Sequence, residues 1–294
     1  MSRAAKSTRV AFQGERGAFS EEAAVRLLGD GVTLVPRPTF ESLFAAVGQG
    51  AADCALAPAE NSLAGSVHRT YDLLLESPLH VSAEVVIPIR HFLIGCPGST
   101  PERVETVESH PVALAQCERF FVEHPNIRRV ATDDTAGSVT RVVREGDPTR
   151  AAVAGRRAAE FYGGRILREH LEDHRENYTR FLLLTPEPAA PEGADKLSLV
   201  LKLAHRPGAL LRALEPFARR RIDLLKIESR PIKGTPWQYH FYLDLRAGAS
   251  GAHLSGALEE LRERADSVRV LGSYRSARPP EESPSATSKG KTDN

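Results

Sequence analysis

The sequence predicts an α/β protein in two parts: a two-lobed body of alternating strands and helices, followed by a smaller βαββαβ unit. Three observations predict it. Short apolar runs alternate with helical patterns through about the first 185 residues, a Pro/Ala/Glu-rich stretch interrupts them at residues 185–196, and the order of runs changes beyond it. Strand followed by helix at this spacing builds a sheet layered by helices.

In order, "TRVAF" precedes the helix "SEEAAVRLLG", "CALAPA" precedes "VHRTYDLLLES", and "VETVES" precedes "PVALAQCERFFVEH", read as one helix. "RRVAT" before "TAGSVTRVVREG" and "AAVAG" before "RRAAEFYGG" continue the series. "EVVIPIRHFLIG", residues 84–95, reads as one long strand passing between two lobes, and "RILREHLEDHRENYTRFLLL" as the return. Two crossings leave a cleft between the lobes, the usual place for a ligand. After "TPEPAAPEGADK" come strand "KLSLVLKLA", helix "GALLRALEPFARRR", strands "IDLLKIESRPI" and "YHFYLDLRA", helix "LSGALEELRERAD" and strand "VRVLGSY". That order is the ferredoxin-like split βαβ unit. The expected boundaries are a body at 8–185 with crossings near 81–95 and 165–182, a linker at 186–195, the second unit at 196–276 and a disordered, Pro/Ser/Lys-rich tail at 277–294.

Composition excludes several function classes. A chain of 294 residues with 41% hydrophobic and 26% charged content can build two ordinary cores. The formal charge of +1 is spread over mixed-sign segments, so neither a basic stripe for nucleic acid nor a polybasic membrane face is present. Cys54, Cys96 and Cys117 are odd in number and far apart, which argues against a disulfide framework and a zinc site. "MSRAAKSTRV" has no apolar segment behind its basic residues, and no later run reaches ~18 apolar residues. The expectation is a cytoplasmic protein whose partners are small molecules or copies of itself.

Candidate site residues lie at strand-to-helix turns. In "FQGERGAFSEEAA", Gly14 and Gly17 permit unusual backbone angles and Ser20 reads as an N-cap, with Glu21 and Glu22 in the first helical turn. The spacing lacks the residues of a nucleotide-binding loop. In "PAENSLAGSV", Glu60, Asn61 and Ser62 are three polar side chains at the carboxyl end of a strand, where open α/β sheets bind ligands. "ESHPVALAQC" offers Ser109 as a cap or binding residue, Pro111 at the first helical position and Gln116 one turn on. Asp133 and Asp134 are adjacent, so their side chains diverge, and Asp134 or Thr135 reads as an N-cap. His170 and His174 share an i, i+4 helical spacing without a third metal ligand, which reads as a solvated helix face. Thr179 in "ENYTRF" reads locally as a cap or turn residue. No nucleophile with its own base, metal set or cofactor loop competes, and these residues describe a cleft for a small acid.

The same stretches, in order across nearly the whole chain, resemble prephenate dehydratase: "FQGERGAFSEEAA", "PAENSLAGSVHRTYDLL", "SHPVALAQC", "DDTAGSV" and "ENYTRF". "RPGALLRAL" and "KIESRPIKGTPWQYHFYLD" are similar to the regulatory ACT domain fused to these enzymes. The resemblance implies a catalytic domain of two lobes like the type II periplasmic-binding fold, a ferredoxin-like ACT domain, and conversion of prephenate to phenylpyruvate, water and carbon dioxide without metal or cofactor. It implies Thr179 as proton donor and Glu60, Asn61, Ser62, Ser109 and Gln116 in the substrate cleft, with Arg180 beside the threonine. The reaction's chemistry offers Arg180 as a bidentate carboxylate clamp or, equally, as a residue that points away and pairs structurally, and Phe181 as an apolar wall. Phenylalanine is the implied effector, held by Gly208, Ala209, Leu210, Glu228, Ser229, Arg230 and Pro231 between subunits of a homodimer or homotetramer. Arogenate dehydratases share the pattern and are the rival within enzymes. A non-catalytic sensor of small acids or amino acids is the rival outside them.

Overall fold

The structure is a computed structural model, and it describes residues 7–189, 191–246 and 251–278. The first lobe holds β1 (Arg9–Gln13), α1 (Phe19–Leu28), β2 (Thr33–Arg37), α2 (Phe40–Gly48), β3 (Cys54–Asn61), β4 (Gly65–Ser66), α3 (His68–Glu76) and β5 (His80–Pro88). The second holds β6 (Phe92–Gly95), β7 (Thr106–Ser109), α4 (Pro111–Ala115), α5 (Glu118–Glu123), β8 (Arg128–Ala131), α6 (Thr135–Glu145), β9 (Arg150–Ala154), α7 (Arg156–Tyr162) and β10 (Arg165–Arg168). The chain then returns to the first lobe as β11 (Tyr178–Thr185). The third sheet carries β12 (Lys196–Lys202), α8 (Ala209–Arg219), β13 (Leu224–Pro231), β14 (Tyr239–Arg246), α9 (Gly251–Arg264) and β15 (Ser267–Tyr274).

The lobes share one topology. Sheet one runs β2-β1-β3-β11-β5 and sheet two β8-β7-β9-β6-β10. In each, three strands are parallel and the fourth, which belongs to a crossing segment, is antiparallel. This is the two-lobed, periplasmic-binding-like α/β fold. The third sheet is antiparallel, β13-β14-β12-β15, the split βαβ order.

Apolar faces explain the layering. Val200, Tyr242, Leu271 and Tyr274 of the third sheet share a buried cluster with Tyr71, Leu79 and Val81 of the first lobe. Its other face packs Leu199, Leu201 and Leu243 against Ala213, Phe217 and Leu261 of α8 and α9. At Gly272 a β-carbon would lie 1.9 Å from Val81 O, so β15 meets β5 backbone to backbone. The two lobes also touch closely. Gly17 has φ 80°, and a β-carbon there would lie 2.7 Å from Ala158 Cα of the second lobe. Beside it, buried Glu21 accepts from Arg16 Nε (2.7 Å), Gly17 N (3.1 Å) and Arg157 Nε (2.9 Å) across the cleft.

Several expectations are corrected. The run 84–95 is two strands in different sheets, β5 and β6, with the crossing confined to 89–91. The helix expected at 111–124 is two, α4 and α5, because Asp173 receives the N–H groups of Glu118 (2.8 Å) and Arg119 (3.1 Å) and starts a new helix there. Ser20 lies inside α1, whose N-cap is Ala18. His170 and His174 occupy the irregular return crossing rather than a helix, and His170 has φ 55°. Asp134 does cap α6, through Gly137 N at 2.5 Å. Of the expected tail 277–294, only Ala277 and Arg278 fall within the described residues, and Ala277 N donates to Glu84 at 2.9 Å. No helix among the described residues is long and apolar enough to cross a membrane.

Candidate active site

A cleft of about 530 Å³ opens between the lobes, within the range of small-molecule sites. Both crossings form its floor. β11 sets Thr179 and Phe181 toward the cleft and Arg180 away, because successive side chains on a strand alternate.

Thr179 stands opposite Asn61 on the paired strands β11 and β3. The orientation of Asn61 follows from the backbone. Its Oδ1 accepts the N–H groups of Leu63 (3.0 Å) and Ala64 (2.8 Å), which can only donate, so its Nδ2 must face β11. There Nδ2 donates to Thr179 Oγ1 (3.0 Å), Asn177 Oδ1 (2.8 Å) and Tyr178 O (3.1 Å). Asn177 therefore offers its own Nδ2 to Gln116 Oε1 at 2.9 Å. Since Gln116 Oε1 accepts, His91 Nε2, 2.9 Å from it, carries the ring proton. One chain of fixed polarity thus runs from the 61–64 turn to His91.

Two consequences follow. The oxygen of Thr179 is occupied by a donor, while its own hydrogen has no acceptor among the described residues and is free to enter the cleft. His91 Nδ1 is left bare, buried and without a partner. Burial pushes the His91 pKa down, so the ring stays neutral through ordinary pH. Because the folded ring resists a proton that the unfolded one accepts, the wild type should lose stability as pH falls below about 6.5, the ordinary histidine value, toward the depressed folded value. In His91→Gln that loss should shrink, measured as the urea midpoint against pH. Identical slopes in the two proteins would refute the assignment.

The described lining contains no lysine or arginine. Its donors are instead the amides and hydroxyls just named and the amino ends of α1 and α3, which reach the cleft at Ser20 and Val67, whereas α4 and α6 reach it at Val112 and Thr135 with their first turns capped by His110 and Asp134. Neither Ala18 nor Val67, the N-caps of α1 and α3, makes a side-chain cap bond, so first-turn N–H groups there can meet an anion. Apolar walls come from Phe19, Phe40, Ile89 and Phe181.

From the strand-to-helix turns, Gly14, Ser20, Asp133, Asp134 and Thr135 line this cleft, and of the eight residues assigned roles through the resemblance and the reaction's chemistry, Asn61, Gln116, Thr179 and Phe181 do so. Four do not. Ser109 is fully buried and donates to Val153 O at 2.6 Å, and His110, not Ser109, caps α4 through Nδ1 and Val112 N. Ser62 ties the turn to the return crossing, donating to Glu176 O (2.6 Å) and accepting from Tyr178 N (2.9 Å). Glu60 receives Lys226 Nζ at 2.8 Å. Arg180 faces the third sheet, with Asp244 Oδ2 at 2.7 Å, Glu84 Oε2 at 3.0 Å and Glu60 Oε2 at 3.6 Å, and is no clamp in the cleft. Residues missed from the sequence are His91, Asn177 and His110. Asn177 and His110 sit inside the sequence motifs beside more conspicuous residues, and His110 directly precedes α4, whereas His91 lies outside every motif and only the first crossing brings it beside Gln116.

The implied effector residues fall into two groups that one chain does not join. Ala209 and Leu210 line a pocket of about 140 Å³ with Leu203, Trp237 and Phe241, and Gly208 precedes α8 with φ 75°. On β13, Ser229 and Pro231 are exposed, while Glu228 and Arg230 turn to the first lobe. Glu228 accepts from Ser66 Oγ at 2.6 Å, and Arg230 Nη2 lies 3.0 Å from Asp72.

Comparison with known proteins gives this geometry its context. Residues 10–189 match the family model described as prephenate dehydratase. The chloroplastic arogenate dehydratase/prephenate dehydratase 2 of Arabidopsis thaliana is 42% identical over 278 residues, which is 90% of this chain and 72% of that protein. The bifunctional chorismate mutase/prephenate dehydratase of Neisseria gonorrhoeae is 38% identical, over 91% of this chain and 74% of its own. The crystal structure of a prephenate dehydratase from Arthrobacter aurescens in complex with L-Phe superposes with a TM-score of 0.85 at 32% identity, covering 94% of this chain and 93% of that one. The chain therefore belongs to the prephenate dehydratase family, dehydratases of aromatic amino-acid biosynthesis.

Proposed function

We propose that the chain converts prephenate to phenylpyruvate, water and carbon dioxide, with Thr179 as proton donor to the departing hydroxide. The observation that carries this reading is the uncommitted hydroxyl hydrogen of Thr179, held at the cleft floor by a donor to its oxygen. As the ring carboxylate leaves as carbon dioxide, the electrons of its bond enter the ring and expel hydroxide from the opposite carbon. The proton from Thr179 makes that hydroxide water, and Thr179 recovers a proton from solvent. Water formed this way is about as weak an acid as an alcohol, so a late transfer needs no tuned histidine. This agrees with a neutral His91. The side-chain carboxylate of the substrate would rest on first-turn N–H groups, since the described lining offers no basic side chain. The apolar walls would favour loss of the ring carboxylate, whose charge disperses as it leaves.

Residues 196–276 we assign as a regulatory ACT unit that binds phenylalanine, joined by the linker 186–195. Support comes from the ferredoxin-like order of its strands and from the Arthrobacter aurescens relative, whose crystal structure is a complex with L-Phe. Because Gly208–Leu210 and Glu228–Pro231 do not share a pocket within one chain, joint use of both needs a second copy, as in a homodimer.

Arogenate is the second substrate to consider, because the Arabidopsis relative carries both names. Purified protein incubated with each substrate, with and without phenylalanine, should form phenylpyruvate from prephenate with the higher kcat/KM. A higher value for arogenate would transfer the assignment, and no product from either would leave a non-catalytic sensor.

A further inference from the structure

We propose that Lys226, on β13 of the third sheet, is a positioning residue for the Asn61–Thr179 pair in the first lobe. Its ammonium reaches across the boundary and donates to Glu60 Oε1 and to Ser66 Oγ, both at 2.8 Å. Those two residues are register partners of β3 and β4, Glu60 opposite Ser66 and Asn61 opposite Gly65. Lys226 therefore fastens the base of a hairpin whose tip contains the Asn61 turn. From that turn the Asn61 amide sets the hydrogen bond to Thr179 Oγ1, and Gly65 and Ser66 line the cleft.

Asn61 and Ser62 tie the tip of the hairpin to the return crossing, whereas its base rests on a short ladder. β4 is two residues long, and Gly65 has φ 81°, so its own ladder is short and its bend permissive. The Lys226 side chain is 11% exposed and its Nζ lies 5.8 Å from the Tyr71 ring centre, so the ammonium is held in one place rather than sampling solvent. Its partners balance it. Glu228 Oε2 accepts the Ser66 hydroxyl at 2.6 Å and lies 3.8 Å from Lys226 Nζ, so Ser66 Oγ accepts from the lysine while donating to the glutamate. Hence the third sheet contributes to the geometry of a cleft that it does not line.

The inference rests on the proposed role of Thr179, and its test has one readout that does not. Lys226→Met should lower kcat by about tenfold or more, toward the ~10²-fold cost of an ångström of misplacement, with KM changed less. Lys226→Arg, which can still bridge Glu60 and Ser66, should recover most of the loss. Independently of turnover, hydrogen exchange read by mass spectrometry should quicken over residues 61–66 in Lys226→Met and return toward wild type in Lys226→Arg. Wild-type exchange at 61–66 in a folded Lys226→Met protein overturns the proposal, as does an unchanged kcat. Should Lys226→Met fail to fold, Glu60→Gln, which weakens the same clip, must give the same local quickening, and its absence overturns the proposal equally. If the wild type turns over neither prephenate nor arogenate, the dehydratase reading falls while the exchange result still decides the role of Lys226.

Discussion

Thr179→Val should lower kcat by at least ~10²-fold while leaving the protein folded, the low end of what a positioned general acid contributes. Valine keeps the shape of threonine and removes its hydroxyl. The cost to folding should be small, because Asn61 Nδ2 retains Asn177 Oδ1 and Tyr178 O as acceptors. A lost neutral hydrogen bond costs about 1 kcal/mol under those conditions. Thr179→Ala should match the valine variant in kcat, whereas Thr179→Ser, which keeps a hydroxyl at the same place, should retain the larger part of the activity. A KM close to wild type would show that the hydroxyl acts on the transition state rather than on binding. A valine variant with near wild-type turnover would remove Thr179 from the chemistry altogether.

Arg180→Met should be the most destabilising single change at the boundary between the first lobe and the third sheet, by about 3–5 kcal/mol. Burial works against the charged guanidinium, but Asp244 and Glu84 outweigh it and hold the Arg180 pKa above the ordinary arginine value. Its contacts with Glu84 and Asp244 are close ion pairs without aligned hydrogen bonds at Nε and Oδ2, so the attraction is chiefly Coulombic. Removing the arginine leaves Glu84 with Lys196 at 2.9 Å and the N–H of Ala277, but leaves Asp244 with Ser198 Oγ and a lysine 3.9 Å away. Asp244 is then a nearly buried carboxylate facing a neutral hydroxyl. Urea denaturation should show the lower midpoint, and Arg180→Met with Asp244→Leu should be less destabilised than the single change, because the stranded charge is gone. An unchanged midpoint in Arg180→Met would mean that water already screens the cluster.

Apolar patterning made most of the fold legible, and the failures have local causes. β2 did not stand out, because it carries Pro36, lies at a sheet edge and has only the short pair Leu34–Val35 as an apolar run, whereas α2 is amphipathic with a Thr39–Ser42 capping box and was legible in principle. The α4–α5 break depends on Asp173, which approaches from the return crossing more than fifty residues later in the chain. The site was legible where neighbouring residues share a face and obscure where they do not. Glu60, Asn61 and Ser62 look equivalent in sequence, yet strand alternation and the turn send Glu60 to the third sheet, Asn61 to Thr179 and Ser62 to the return crossing.

What the sequence determined by itself is the alternation of strands and helices, the change of pattern near residue 190, and a set of collinear motifs specific enough to name a family. Those are properties of local periodicity and residue order, which need no knowledge of what lies across the cleft. The tertiary structure alone decided which motif residues meet. It turned Arg180 from the cleft into a buried ion cluster, brought His91 and Asn177 to Gln116, and placed Lys226 on the hairpin that carries Asn61. Hydrogen bonds and ion pairs act over about 3–4 Å, and only folding brings residues separated by tens to more than a hundred positions within that reach.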